Sequence, residues 1–209
     1  GEFITNYCLF LTYRNNLFSL WNIYSKIFFE NITLKMYFAF SIFFMPILMK
    51  AAVLESYNQF KWKEVPTPQP GNDEVLVRIK FGGICGTDMH IFPGDFHPRT
   101  PVPFIPGHEM GGVVEETGKE VKGFSKSDKV AVDPVIWCGK CAACRRKHYP
   151  ACTNLKLLGV DMNGGFAEFI SVPAHLLYKV PSHIPDKHVA LTEIFSIGFH
   201  ANKRAGTKK

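Results

Sequence analysis

Residues 74–92 read EVLVRIKFGGICGTDMHIF and indicate the class of fold. Up to Phe81 this stretch alternates apolar and polar side chains, as a half-buried β-strand does. Further short segments of strand character, separated by Gly and Pro, recur at 49–56, 60–65, 108–118, 128–135, 164–173 and 176–181. Many short strands at a spacing of roughly ten residues predict a mainly β fold, either a barrel or a sandwich.

A helical pattern occurs only near the end of the chain. Residues 186–206, DKHVALTEIFSIGFHANKRAG, place apolar side chains near positions i, i+3 and i+4, and Gly206 is typical of a helix stop. We therefore expect one helix from about Pro185 to Ala205. It would close a domain that runs from residue 49 to residue 206.

Residues 1–48 differ in composition from the rest of the chain. They are rich in Phe, Tyr, Met, Ile, Asn and Lys, which AT-rich codons encode, and contain no Gly after the first residue. A translated upstream segment or cloning leader is the origin we expect, with Met49 as the natural start. A targeting segment is the second alternative, because Lys35 precedes the apolar run 36–48. A membrane span is the third, although that run is shorter than the roughly 18–20 residues required.

The overall composition is that of an ordinary globular protein. The chain has 209 residues, of which 46% are hydrophobic and 20% are charged. Its formal net charge is +6, but the Lys and Arg residues are scattered rather than gathered into a stripe. We therefore expect neither a nucleic acid nor a membrane as a partner.

Four of the six cysteines form the run Cys138-x2-Cys141-x2-Cys144-x7-Cys152. Four thiolates around a tetrahedral Zn²⁺ leave no open coordination position, so this spacing predicts a structural zinc site. A disulfide pair or unrelated cysteines are the simplest alternatives, and an iron–sulfur cluster uses the same ligand type. The fourth spacing and the β context argue against the cluster. Dense short spacings in a larger chain favour a metal site in a reducing cytoplasm.

Three segments together resemble one known family. The segments GICGTDMHIF (83–92) and PGHEMGGVVEETG (106–118), followed by the cysteine run, are similar to the zinc-containing medium-chain alcohol dehydrogenases. The likeness is closest to the sorbitol, polyol and threonine dehydrogenase branch, and it extends from Met49 to Gly206. It implies a GroES-like β-barrel catalytic domain with a structural zinc lobe and a C-terminal helix. It also implies hydride transfer from a polyol or secondary alcohol to a nicotinamide cofactor.

The resemblance further implies a second, catalytic zinc ion. Its ligands would be Cys85, His108, Glu109 and Glu193. Such a mixed S/N/O set suits a catalytic rather than a structural zinc. Asp88 would accept the other ring N–H of His108 and thereby fix the tautomer of this ligand.

The same resemblance assigns a proton relay. Thr87 would hydrogen-bond the alcohol oxygen, while His90 would receive the released proton. Glu109 would bind the metal directly or exchange with water. The aromatic residues expected to line part of the substrate pocket are Phe92, Phe96 and Phe104.

The second half of this family is a Rossmann domain, which a Gly-rich turn opens. No G-x-G-x-x-G segment occurs in the chain. We therefore expect that the Rossmann domain is missing, that residues 186–206 are the start of the helix that would link to it, and that the chain binds zinc without oxidising an alcohol. The choice between NAD and NADP would lie in that domain. Apolar surface left uncovered would favour a homo-oligomer.

Two other functions remain open at this stage. The first is a zinc-stabilised binding module without catalysis, in which Cys85 and His108 are structural. Thr87 and His90 argue against it, because such a module needs no proton relay. The second is a zinc-ribbon nucleic-acid binder, which the scattered charge and the acidic segment 115–120 disfavour.

Overall fold

A computed structural model describes residues 46–207, so the predictions for residues 1–48 lie almost entirely outside the described part of the chain. The strands that it contains are β1 (Leu48–Ser56), β2 (Gln59–Pro66), β3 (Glu74–Gly83), β4 (Glu109–Thr117), β5 (Lys129–Val132), β6 (Val135–Ile136), β7 (Lys156–Leu157), β8 (Phe169–Pro173) and β9 (Leu177–Lys179). The predicted mainly β fold is therefore confirmed.

The largest sheet has the strand order β8-β3-β4-β5-β9, with antiparallel neighbours throughout. Strand β3 lies inside this sheet between β8 and β4, and alternate side chains such as Val75 and Val77 are fully buried beneath it. They pack with Met110, Val114 and Val130 in one hydrophobic cluster. Burying a Val or Met side chain contributes about 1.5–3 kcal/mol, so this cluster stabilises the pairing of β3 with β4.

Two smaller sheets complete the β structure. Strands β1 and β2 form an antiparallel hairpin, and β6 pairs with β7 in a separate lobe. The hairpin contributes Met49, Ala51 and Val53 to a second cluster of buried apolar residues. The β6–β7 lobe carries the cysteine run.

The helices are short except for the last one. They are α1 (Gly86–Ile91), α2 (Ala142–Arg145), α3 (Asp186–Val189) and α4 (Thr192–Ala205). The sequence pattern did not predict α1, because six residues are too few to establish a helical period. Among residues 46–207, no helix combines the length and the apolar character that crossing a membrane requires.

The C-terminal helix predicted over 185–205 is in fact two helices. Val189 and Ala190 are buried, which holds the end of α3 against the barrel, and the chain starts a new helix at Thr192. Gly206 ends α4 in the left-handed conformation at φ 65°, as predicted. None of the residues of α4 is buried.

Candidate metal centres

The four cysteines of the β6–β7 lobe lie together, with their sulfur atoms all within 4.8 Å of one another. Cys138 Sγ lies 4.0 Å from Cys144 Sγ, and Cys141 Sγ lies 3.9 Å from Cys152 Sγ. A disulfide would need about 2.05 Å, whereas four Zn–S bonds of about 2.3 Å in a tetrahedron separate the sulfurs by about 3.8 Å. The spacing therefore fits a tetrathiolate zinc site and excludes a disulfide in this structure.

Backbone N–H groups stabilise thiolates in this lobe. Cys138 N–H donates to Cys152 Sγ over 3.3 Å, and Cys144 N–H donates to Cys141 Sγ over 3.4 Å. The N–H groups of Cys144 and Thr153 lower the pKa of Cys141 to about 5, whereas burial raises the pKa of Cys144 to about 12. The Cys141 thiolate can therefore bind a cation. That cation would offset the free-energy cost of burying the Cys144 thiolate.

An aromatic group adjoins the lobe. The indole of Trp137 stacks on the Tyr149 ring with centroids 4.1 Å apart, and the His175 ring lies 4.7 Å from the indole. These contacts join both ends of the cysteine loop to the turn before β9. The lobe is therefore held by packing as well as by its four ligands.

A second group of metal-binding side chains lies where β3 ends and β4 begins. Ligand atoms of Cys85, His108 and Glu109 all lie within 4.8 Å of one another. Gly83 is the register partner of Glu109, so the antiparallel pairing of β3 with β4 brings these two chain segments to one edge of the sheet. Three of the four predicted ligands of the second metal are thus brought together.

Two glycines leave room for this group. A Cβ on Gly83 would lie 2.1 Å from Glu109 Oε2, so the carboxylate occupies the space that a side chain would need. Gly107 has φ 95°, and a Cβ there would lie 2.4 Å from the Phe166 ring. Both positions require glycine, which is why the chain can turn closely enough to place His108 beside Cys85.

Asp88 and His108 are both buried, but they do not form the predicted hydrogen bond. Asp88 Oδ1 lies 3.9 Å from His108 Nδ1, and neither atom has a hydrogen-bond partner in the described structure. Asp88 Oδ2 instead accepts from the Cys85 N–H over 2.8 Å. Burial raises the pKa of the Asp88 carboxyl, against the opposing effects of Cys85 N–H and His108.

The donor set fits zinc. A thiol, an imidazole and a carboxylate are the groups that Zn²⁺ prefers, and three protein ligands are typical of its catalytic sites. The unpaired His108 Nδ1 and Asp88 Oδ1 are a further sign, because buried polar atoms rarely stay without a partner. A cation at Cys85 and Glu109 would offset the cost of burying these polar atoms.

Glu193 lies in the first turn of α4 and does not belong to the three-residue group. Partial burial raises the pKa of the Glu193 carboxyl, while the charge of the neighbouring His108 lowers it. Its carboxylate is therefore close enough to His108 for their charges to interact. Its role as a metal ligand remains a prediction.

The predicted relay residues lie on α1. Thr87 Oγ1 lies 3.7 Å from Cys85 Sγ, so its hydroxyl is beside the metal-binding group. His90 is exposed, and its Nδ1 lies 2.9 Å from Asp95 Oδ2. Sequence reasoning missed Asp95, and only its position five residues after His90 could have pointed to it.

The three aromatic residues predicted to line the substrate pocket differ in how deeply they are buried. Phe104 is only 3% exposed and packs in a cluster with Leu54 and Ile91, and it also lines a cavity of about 530 Å³ beside β1 and β2. Phe92 and Phe96 pack against that cluster from outside and are partly buried. These two remain available to line a pocket near α1.

Comparison with known proteins shows the family to which the chain belongs. Residues 71–182 match the profile described as the alcohol dehydrogenase GroES-like domain. The chain belongs to this family. The predicted resemblance is therefore confirmed, and the match contains Cys85, His108, Glu109 and the cysteine run.

Relatives within the alcohol dehydrogenase GroES-like family include members of the predicted sorbitol, polyol and threonine dehydrogenase branch. L-threonine 3-dehydrogenase of Pyrococcus furiosus is 45% identical over 132 residues, covering 62% of this chain and 38% of that protein. Sorbitol dehydrogenase of Bacillus subtilis is 34% identical over 163 residues, covering 77% and 46%. A solved alcohol dehydrogenase of Escherichia coli complexed with NADH matches with TM-score 0.70 and 36% identity, covering 75% of this chain and 45% of that one. The chain thus spans less than half the length of these relatives.

Proposed function

We propose that the chain is the metal-binding catalytic domain of a zinc-dependent dehydrogenase. The enzyme would transfer hydride from a polyol or secondary alcohol to NAD or NADP. The observation that carries this proposal is the group of Cys85, His108 and Glu109 at the shared edge of β3 and β4. Sorbitol and threonine dehydrogenases among the relatives support the class of substrate.

Each residue of the second centre has a distinct task in this proposal. Cys85, His108 and Glu109 hold the zinc ion, and Glu193 supplies a carboxylate from α4. When bound, zinc supplies Lewis-acid chemistry that lowers the pKa of a coordinated alcohol. Asp88 orients His108 electrostatically, since their facing atoms lie 3.9 Å apart.

In this proposal, residues of α1 transfer the proton. The Thr87 hydroxyl, which lies beside Cys85 Sγ, would hydrogen-bond the alcohol oxygen, and as it accepts the proton of the alcohol it would release its own proton towards His90. His90 passes the proton on to solvent, because its side chain is 67% exposed. Asp95 holds the His90 ring through the contact at Nδ1, which leaves Nε2 for the proton. The hydride itself goes to the nicotinamide ring of the cofactor.

The remaining parts of the proposal concern partners and location. A small alcohol and a nicotinamide cofactor are the proposed partners, with no part for nucleic acid or membrane. We place the protein in the cytoplasm, because a reducing compartment keeps the thiol ligands available for zinc.

Cobalt substitution tests this function without a cofactor. Co²⁺ replaces Zn²⁺ in thiolate sites and gives a visible spectrum that responds to a new oxygen ligand. With the second centre loaded, we expect sorbitol or L-threonine to change that spectrum. The change should be absent in Cys85→Ser and present in the matched variant Ser196→Ala, which alters an exposed residue of α4.

A spectrum that no alcohol changes would overturn the catalytic proposal. If only the cysteine lobe took up metal, the zinc-stabilised binding module would be the better account. The lobe alone fits that second function, because its four sulfurs leave no position for a substrate.

A further inference from the structure

A cavity of about 530 Å³ lies against one face of the β1–β2 hairpin, and we call it the hairpin cavity. Small-molecule ligands occupy cavities of about 300–1,000 Å³. Most of its lining side chains are apolar, and those that are almost fully buried include Met49, Val53, Phe104, Ile105, Leu158 and Ile170. The described residues that line it do not include the candidate ligands of the second metal centre, which are Cys85, His108 and Glu109. The hairpin cavity is therefore separate from the proposed site of catalysis.

The hairpin presents an apolar end and a charged end to this cavity. The register pairs Met49 with Val65, and opposite residues of an antiparallel pair point to the same face. Lys63 lies two residues before Val65 and points to this face as well. Glu55 also lines the cavity, six residues after Met49, which is about 20 Å along an extended strand. The cavity is thus elongated, with Met49 and Val65 at one end and Glu55 at the other.

The other wall of the cavity follows the same direction. An antiparallel bridge joins Ala51 to Ala167, which places Phe169 and then Ser171 at the apolar end. The Ser171 hydroxyl donates to Glu74 Oε2 over 2.8 Å. A carboxylate therefore lies beside the apolar end, and its charge disfavours a second anionic group there.

The charged end carries more positive than negative charge. Glu55 Oε1 accepts a hydrogen bond from Lys63 Nζ, and Lys61 Nζ lies 3.7 Å from Glu55 Oε2. Two ammonium groups thus share one carboxylate, which leaves a net charge of +1. The side chains of Lys61 and Lys63 remain 51% and 42% exposed, so both ammonium groups can contact a further anion.

We propose that the hairpin cavity binds a free medium-chain carboxylate, of which octanoate is a simple example. The alkyl chain lies along Met49, Val65 and Phe169, where it is removed from water. The carboxylate group lies at the opposite end and accepts charge-assisted hydrogen bonds from Lys61 and Lys63. Binding requires both the apolar chain and the negative charge. It does not require the proposed catalytic function.

Calorimetric titration of the full zinc-loaded chain tests the requirement for chain and charge. We expect saturable binding of octanoate at one site, with an affinity that rises about three- to fourfold for each methylene added from hexanoate to octanoate. Octanol and octylammonium, which keep the alkyl chain without the negative charge, should bind at least fivefold more weakly. No saturable binding of octanoate would overturn the proposal, and so would equally tight binding of octanol or octylammonium.

A pair of lysine variants locates the carboxylate group. Lys63→Met removes one ammonium group and keeps an unbranched side chain, and we expect it to weaken octanoate binding at least fivefold. The matched control is Lys80→Met, because Lys80 lines another apolar cavity of about 510 Å³, beside Trp62. This control should change the affinity less than twofold, and equal melting temperatures will show that both variants fold. Equal losses in the two variants would mean general charge attraction and would contradict the proposed site.

A last pair of measurements distinguishes the hairpin cavity from the second metal centre, since carboxylates also bind zinc. After brief treatment with a chelator, which is expected to remove the second zinc ion, the chain should bind octanoate within twofold of its original affinity. Nuclear Overhauser contacts should join the terminal methyl group of bound octanoate to the Met49 methyl group and not to the Trp62 indole. Loss of binding after chelation, or contacts to Trp62 instead of Met49, would place the ligand elsewhere and refute the proposal.

Discussion

At the scale of single residues, Gly83 has the most constrained position near the second metal centre. Its hypothetical Cβ lies 2.1 Å from Glu109 Oε2. We expect Gly83→Ala to displace that carboxylate, weaken metal binding at the second centre at least tenfold and cost about 1–3 kcal/mol of stability. Calorimetric titration with Zn²⁺ measures the affinity. The control is Gly86→Ala, where a Cβ meets nothing within 4 Å. Unchanged affinity in Gly83→Ala would contradict this placement of Glu109.

A second prediction at this scale concerns the pH dependence of stability. Asp161 accepts from Arg99 Nε over 2.7 Å and from the Leu157 N–H over 2.7 Å. Arg99 lowers the pKa of this carboxyl below its ordinary value of 3.8. Its stabilisation is therefore fully present above about pH 4, and is lost as the pH falls through the lower folded-state pKa.

Urea unfolding of Asp161→Asn tests the sign of this effect. We expect a loss of about 1–3 kcal/mol at pH 7, and a smaller difference from the unmodified chain below pH 3.8. Asp73→Asn, at an exposed carboxylate, serves as the control and should cost less than about 0.5 kcal/mol. If the difference in unfolding free energy between Asp161→Asn and the unmodified chain stays constant down to pH 3, Asp161 does not act through its charge.

The sequence predicted which candidate ligands come together better than it predicted the contacts of their neighbours. Cys85 and His108 lie in short segments whose residue types and spacing alone indicate a metal site. Asp161 could not be predicted, because its partner Arg99 lies 62 residues away and only the folded chain joins them. Asp88 was predicted as a partner of His108, but its backbone bond to Cys85 holds the carboxylate 3.9 Å away.

At the scale of elements, we expect the β6–β7 lobe to depend on a bound metal ion for its stability. Its strands have two residues each, which is too little pairing to hold a loop of this length without further links. We expect Cys141→Ser to release zinc from the lobe and to raise amide exchange over residues 135–157. The β3–β4 pair should keep its protection.

Hydrogen exchange with mass spectrometry measures this separation. Cys85→Ser provides the matched control, since it removes one thiol from the other centre and should leave residues 135–157 protected. Unchanged protection of the lobe in Cys141→Ser would show that packing of Trp137 and Tyr149, rather than zinc, holds it together.

The two C-terminal helices differ in what they contribute to stability. Val189 of α3 is 1% exposed, and the Cβ position of Gly111 lies 2.5 Å from its side chain, whereas Phe199 of α4 is 71% exposed. We expect Val189→Ala to cost about 1–2 kcal/mol and Phe199→Ser less than about 0.5 kcal/mol in thermal or urea unfolding. Comparable losses from both would mean that the Phe199 ring packs against the barrel.

These helices also show where the sequence pattern was insufficient. Apolar residues continue at helical spacing across 186–206, so the pattern predicted one helix. The break near Leu191 arises because Val189 and Ala190 are buried against the sheet, which is a tertiary contact. The strands were easier to predict, because alternation is local and Gly or Pro marks their ends.

At the scale of the whole molecule, the two candidate metal centres differ in how far apart their candidate ligands lie along the chain. The lobe takes all of its ligands from residues 138–152, so a local loop suffices. The candidate ligands of the second centre are Cys85, His108 and Glu109, which meet only because β3 pairs with β4. The second centre therefore depends on the folded sheet, and a further ligand from α4 would depend on the least buried helix.

Zinc content is the measurement that most directly tests this account. Purified chain, dialysed against metal-free buffer, is assayed by mass spectrometry for bound zinc before and after brief exposure to a chelator. We expect two zinc ions per chain before and one after, with one in Cys85→Ser before any chelator. A single zinc ion in the unmodified chain, unaffected by Cys85→Ser but lost in Cys141→Ser, would contradict the existence of the second centre.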